Sequence, residues 1–167
     1  MIFQTSRLLV RPLISEDFEP FHEMQNNFKV MQYASGKAQT LEENKVDLKK
    51  VMAHYKEVGN GFWVWAIERK SDQAFIGTAA IIVDEKKEGE VGYRLLEKHW
   101  GNGYATEILK KLIDHGFEKM QLKAIHANVD VRNIASVKML DKSVLDYTGE
   151  EWNEDFQSND RFYRLEQ

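Results

Sequence analysis

The chain has 167 residues, room for one domain with a substantial core and too little for two. Its 43% apolar and 30% charged residues exclude a disordered chain, and its net charge of -4 excludes the basic surface that non-specific nucleic-acid binding requires. The absence of cysteine excludes disulfides, thiolate metal ligation and a cysteine nucleophile. No metal site is expected. The opening MIFQTSRLLVRPL lacks the long apolar run of a signal peptide, and no stretch reaches transmembrane length, so a cytoplasmic protein without membrane contact is expected.

Arg7 to Leu13 reads as a short strand closed by Pro12. A helix follows, with Asp17 as N-cap, Pro20 in the first turn, and Phe18, Phe21, Met24 and Phe28 on one buried face. Thr40-Leu41-Glu42-Glu43 is a capping box. The helix it opens carries Leu41, Leu48, Val51, Met52, Tyr55 and Val58 as its apolar stripe and ends at Gly59-Asn60-Gly61. Glu42, Glu43 and Asp47 on it either attract a cationic ligand or form a solvated face. Phe62 to Glu68 and Phe75 to Val83 are strands joined at Ser71-Asp72-Gln73. Trp63 and Trp65 share one face of the first, as core or as pocket wall.

The chain is organised around Tyr93 to Leu112, YRLLEKHWGNGYATEILKKL. A strand up to Leu96 runs into Gly101 and Gly103. A helix then begins at Tyr104, with Ile108, Leu109, Leu112 and Ile113 at helical spacing. The first N–H groups of such a helix lack partners, its dipole adds positive charge, and glycine admits a ligand to the backbone. Together these make a phosphate site. No lysine follows Gly103, so this is not a P-loop. Thr106 stands where a dinucleotide-binding loop would carry its third glycine. Beyond it, Lys123 to Val129 is a strand, and a strand–helix–strand order favours a parallel neighbour pair with a right-handed crossover. Asn133 opens a short helix with Val137, Met139 and Leu140, and Asp146–Glu151 and Arg161–Glu166 close the chain as strands.

Trp100-Gly101-Asn102-Gly103-Tyr104-Ala105-Thr106-Glu107 resembles the loop of the GNAT N-acetyltransferases, with Trp100 in place of the usual Gln or Arg. With EVGY before it and the opening TSRLLVRPL, the string resembles the RimJ/RimL-like branch, and Ile76-Gly77 resembles the family. The resemblance implies an α+β fold, a three-layer sandwich whose mixed sheet of about seven strands contains a splayed parallel pair and is flanked by about four helices. It implies acetyl-CoA as cosubstrate. The pantetheine would pair with the backbone of Tyr93, Arg94 and Leu95, and the diphosphate would meet the amides of Gly101, Asn102, Gly103, Tyr104, Ala105 and Thr106. Asn133 matches the asparagine that bonds the pantetheine arm in this family, and Ser136 lies one turn on. The implied activity is acetyl transfer to a primary amine, either a protein N-terminus or a small molecule. A CoA-binding module without turnover is the competing reading.

Acetylation needs a base to deprotonate the ammonium and an acid or a good leaving thiolate. Glu90 is the first candidate base, beside its plain reading as a strand-end surface residue, and His126 is the second. The family's catalytic Glu of some branches falls at Asn128 here, and its usual acid Tyr falls at Leu140, which leaves Ser136 as a candidate donor. The expected partners are acetyl-CoA and an amine acceptor, without nucleic acid. Exposed sheet edges make a homodimer an expectation as well.

Overall fold

The computed structural model describes residues 1–167. Eight strands form one sheet: β1 (Phe3–Gln4), β2 (Leu8–Pro12), β3 (Phe62–Arg69), β4 (Phe75–Val83), β5 (Glu88–Leu95), β6 (Ala124–Asp130), β7 (Asp146–Asn153) and β8 (Ser158–Glu166). Their order is β1-β2-β3-β4-β5-β6-β8-β7. Five helices flank it: α1 (Phe18–Gln25), α2 (Phe28–Met31), α3 (Leu41–His54), α4 (Tyr104–Glu118) and α5 (Ile134–Leu140). None is long and apolar enough to cross a membrane. The architecture is the expected α+β sandwich, extended by the two-residue β1 and the one-turn α2.

Every pairing is antiparallel except β5 with β6. The parallel ladder covers only Glu88–Glu90 against Ala124–His126. β5 continues to Leu95 and β6 to Asp130, so the two strands part after Glu90 and His126. Each keeps its outer partner, β4 and β8, through the parted region. A V-shaped gap therefore opens in the middle of the sheet, with unpaired backbone along both arms.

Two cores cover the two sheet faces. The larger joins Trp65, Ile67, Ile81, Val91 and Leu95 to the α4 stripe Ile108, Leu109, Leu112 and Ile113. The smaller joins Ala66 and Phe75 to Phe21 and Met24 of α1 and Leu48 and Val51 of α3. Trp65 is 2% exposed and meets His115 of α4 edge-on, with Trp63 stacked against it at 6.0 Å. The tryptophans are thus core under α4, and the alternate residues Phe62 and Val64 face the cleft instead.

The first helical segment departs from expectation. It breaks at Asn26-Asn27, where the Asn27 side chain accepts from the Lys29 amide and starts α2. Phe28 thereby leaves the α1 face and is exposed. Asp17 does not cap α1. Its carboxylate accepts from the Ile14 amide and from both terminal nitrogens of Arg11, at 2.8 and 2.9 Å, while Arg11 Nε reaches Glu68. An arginine that neutralises a buried carboxylate outcompetes a capping role. The Thr40 capping box is present in both directions. The α3 stripe is narrower than its apolar sequence: Leu41, over solvent in the first turn, and Val58, past the helix end, are exposed. Buried Asn44 takes a place in the seam, bonded to buried Gln25 of α1 at 2.8 Å.

Candidate active site

The gap between β5 and β6 opens into a cavity of about 990 Å³ that runs from α1–α3 past the glycine turn to α5. Its lining includes Glu90, Tyr93, Arg94, Leu95, the whole run Gly101–Thr106, Asn133 and Ser136. Twelve chain positions separated by up to 46 residues in sequence are thus brought to one surface. His126 is the exception. It pairs in register with Glu90 and with Arg164, on the closed part of the V, and is absent from the cavity wall.

The glycine turn is shaped by its backbone. Gly101 and Gly103 both have φ of 76°, the left-handed region that side chains disfavour. Gly103 is the N-cap of α4, and no side chain caps the helix. The amides of its first turn therefore face the cavity without a protein acceptor from a cap. The Tyr104 ring is buried in the α4 core, so only the main chain of that residue serves the cavity. These features suit a diphosphate, since the cradle is built of backbone donors and lacks any carboxylate.

Two tethers hold the turn. Trp100 Nε1 donates to the Leu95 carbonyl at 2.9 Å, fastening the turn to the end of β5. This is what the tryptophan does in place of Gln or Arg. The second tether is Glu107. It accepts from the Arg7 amide at 3.1 Å, from Arg7 Nε at 2.8 Å and from the Thr5 hydroxyl. Arg7 Nη1 in turn donates to the Asn102 carbonyl at 3.0 Å, and its guanidinium lies over the Tyr104 ring. Burial raises the Glu107 pKa, but the bonds from Thr5 and Arg7 outweigh it and leave the carboxyl below its ordinary range. The N-terminal Thr-Ser-Arg and the Thr-Glu after the glycines are two halves of one clamp.

On the other arm, the Asn133 side chain accepts from the Ser136 amide at 3.3 Å and so caps α5. The turn before it is set by Asp130, whose carboxylate takes the Arg132 amide, the Arg132 guanidinium and the Ser158 hydroxyl. Ser136 Oγ lies 2.9 Å from the Tyr93 hydroxyl. Burial raises the Tyr93 pKa, opposed by the bond to Ser136, so the hydroxyl stays protonated at neutral pH. Sequence reasoning used only the backbone of Tyr93. Its side chain, pointing to α5 with odd-numbered Val91 and Leu95 on the helix side of β5, was legible from the period of two. Leu140 and Asn128 also line the cavity, at the positions where the family pattern is broken.

Gly77 explains the Ile-Gly of β4. A Cβ there would collide with the Arg94 carbonyl, so glycine lets β4 lie close against the part of β5 that borders the gap.

Comparison with known proteins agrees with this geometry. Residues 7–143 match the acetyltransferase (GNAT) domain family. The uncharacterized N-acetyltransferase YoaA of Bacillus subtilis is 29% identical over 141 residues, 83% of this chain and 79% of that protein. The uncharacterized N-acetyltransferase p20 of Bacillus licheniformis is 30% identical over 138 residues, 81% of this chain and 77% of that one. Among solved structures, a GNAT-family acetyltransferase from Bacillus anthracis has a TM-score of 0.84 at 20% identity, covering 98% of this chain and 96% of its own. The spermidine N-acetyltransferase from Vibrio cholerae, in complex with CoA and spermine, likewise has a TM-score of 0.84 at 20% identity, covering 97% and 96%. With a parted parallel pair, an uncapped glycine turn between its arms and a family match over most of its length, the chain belongs to the GNAT acetyltransferases.

Proposed function

We propose that the protein transfers the acetyl group of acetyl-CoA directly to a primary amine within a ternary complex. The observation that carries this is the parting of β5 and β6 after Glu90 and His126 into a cavity whose wall also includes the uncapped start of α4. Backbone edges accept an amide-bearing chain as they would a further strand, and bare helix amides accept its diphosphate. Tyr93 and Arg94 offer the edge, Gly101 to Thr106 the amides, and Asn133 the opposite wall. When bound, acetyl-CoA supplies the activated acyl group as a thioester.

The chain's own residues then have three tasks. Glu90 is exposed at the vertex of the V and lines the cavity, where its carboxylate takes the ammonium proton, directly or through water. Asn128, two residues beyond the last paired position on the opposite arm, orients that water. His126, paired in register with Glu90 but outside the cavity wall, is the alternative base. The amine nitrogen bonds to the acyl carbon, the carbon–sulfur bond breaks, the sulfur leaves with the electron pair, and the nitrogen gives up its surplus proton to water as the amide forms. Ser136, joined to the protonated Tyr93 hydroxyl, donates to that sulfur in place of the tyrosine that Leu140 replaces. The opening Thr-Ser-Arg and the Thr-Glu of α4, which the Glu107 clamp unites, support placement in the RimJ/RimL-like branch.

A thiol-release assay with acetyl-CoA and a panel of peptides, amino acids and polyamines tests the reading. CoA release that depends on one amine class supports it. Tight acetyl-CoA binding with no release for any amine favours the non-catalytic module, whose support is Leu140 and Asn128 in the cavity wall.

A further inference from the structure

Seven arginines occur in the chain, and six are paired with carboxylates: Arg7, Arg11, Arg69, Arg132, Arg161 and Arg164. Arg94 is the seventh, and it has no carboxylate within ion-pair distance. It also lines the cavity. On β5 it shares a face with Glu88, Glu90 and Gly92, the face turned away from α4. Nη1 donates to Gln25 Oε1 at 2.7 Å. Gln25 is fully buried, and its amide nitrogen is committed to Asn44 at 2.8 Å and Asp47 at 3.3 Å. This network fixes the oxygen of Gln25 toward Arg94 and thereby the plane of the guanidinium. The remaining donors of Arg94 have no protein acceptor. Burial pushes the guanidinium below its ordinary pKa, with Asp47 opposing from beyond contact.

A positioned, partly desolvated cation with free donors is unfavourable alone and favourable once an anion arrives. Its fork matches a carboxylate. The other cavity cation on this side, Lys29, is already paired with Glu97 at 2.6 Å. Between Arg94 and Glu90 stands Gly92, where a Cβ would meet nothing within 4 Å, so the cavity floor between the two charges is open. At strand rise their Cα atoms lie roughly 13 Å apart.

We propose that Arg94 is a recognition site for a carboxylate on the acceptor, so that the substrate is an amino acid or short peptide carrying its reactive amine toward Glu90. This rests on the acetyltransferase reading above and narrows its acceptor. An ammonium placed beside the unpaired guanidinium would meet like-charge repulsion, so a polyamine could use only the carboxylates elsewhere in the wall, Asp47, Glu90, Asp130 and Asp160.

The test compares matched acceptors at saturating acetyl-CoA: lysine with cadaverine, ornithine with putrescine, phenylalanine with phenethylamine, and trialanine with trialaninamide. For at least one pair, kcat/KM of the carboxylate-bearing member exceeds that of its partner by about 100-fold or more. R94Q brings that ratio close to one, and R94K, which keeps the charge and loses the fork, gives an intermediate ratio. Ratios near or below one throughout the panel overturn the assignment, as does a ratio unchanged in R94Q. If R94Q acts by weakening acetyl-CoA binding in calorimetry, the guanidinium belongs to the cosubstrate and the proposal falls. Should R94Q fail to fold, the wild-type ratios and R94K decide. Acetyl-CoA binding with no transfer to any panel member refutes the carboxylate site while leaving acetyl transfer standing; no acetyl-CoA binding refutes both.

Discussion

The two ends of the cavity are built from different materials. At the glycine turn the recognition surface is main chain, with two left-handed glycines and an uncapped helix start. At the α1–α3 end it is side chain: Arg94 on Gln25, Gln25 on Asn44 and Asp47, with Phe62 and Val64 beside them. Main-chain recognition demands a fixed backbone path and so constrains the residues that can trace it. Side-chain recognition can be rewritten one residue at a time. On the proposed reading the glycine turn meets the cosubstrate and the α1–α3 side meets the acceptor.

Substitutions at each end sharpen this contrast. The largest effect is expected from Gly103→Asp, which places a negative side chain at a φ of 76° in the diphosphate cradle. Acetyl-CoA affinity should fall beyond calorimetric detection while the fold persists by circular dichroism; retained affinity would mean that the cradle lies elsewhere. Glu90→Gln comes next. Loss of a positioned base costs about 100-fold or more in turnover. That loss should be greatest near neutral pH and shrink at high pH, where the free amine is already present, whereas a pH-independent loss would remove Glu90 from proton transfer.

Glu107→Gln breaks the clamp rather than the cradle. Hydrogen bonds to charged groups contribute about 2 kcal/mol each, so the melting temperature should drop by several degrees and acetyl-CoA affinity should weaken with it. The pH dependence has a definite sign. Because the folded pKa of Glu107 is held below its ordinary value, its contribution is complete above the usual carboxylate range and is lost as pH falls through the folded value. The difference in stability between wild type and Glu107→Gln should accordingly shrink on acidification. Thr40→Ala is the smallest, about 1 kcal/mol of stability through loss of the α3 cap. It should leave the ratio of acceptor rates in place, and a change there would show that α3 shapes the acceptor end more directly than its capping box implies.

The same contrast explains what could be read from the chain unaided. The glycine turn, the amphipathic α4 and the Thr40 capping box are local and obey helix periodicity and turn chemistry, and Gly101 to Thr106, Asn133 and Ser136 all arrive at the cavity. The parallel pairing of β5 and β6 follows from the helix that connects them. Contacts between distant segments were not legible. Nothing near Asp17 marks it as the partner of Arg11 rather than a helix cap, and nothing near Phe28 marks the break at Asn26-Asn27. The period of two puts Trp63 and Trp65 on one face, but which helix covers that face depends on sheet order. The isolation of Arg94 among paired arginines requires knowing where every carboxylate lies.

The central claim, that bare amides at residues 101–106 hold the diphosphate so that the thioester lies between the parting strands, is open to direct measurement by amide resonance titration with acetyl-CoA. The account predicts the largest shifts at Gly101 to Thr106 and along Tyr93 to Leu95, saturating together with a single affinity. Unmoved resonances in the glycine turn, with saturable shifts elsewhere on the molecule, would contradict it.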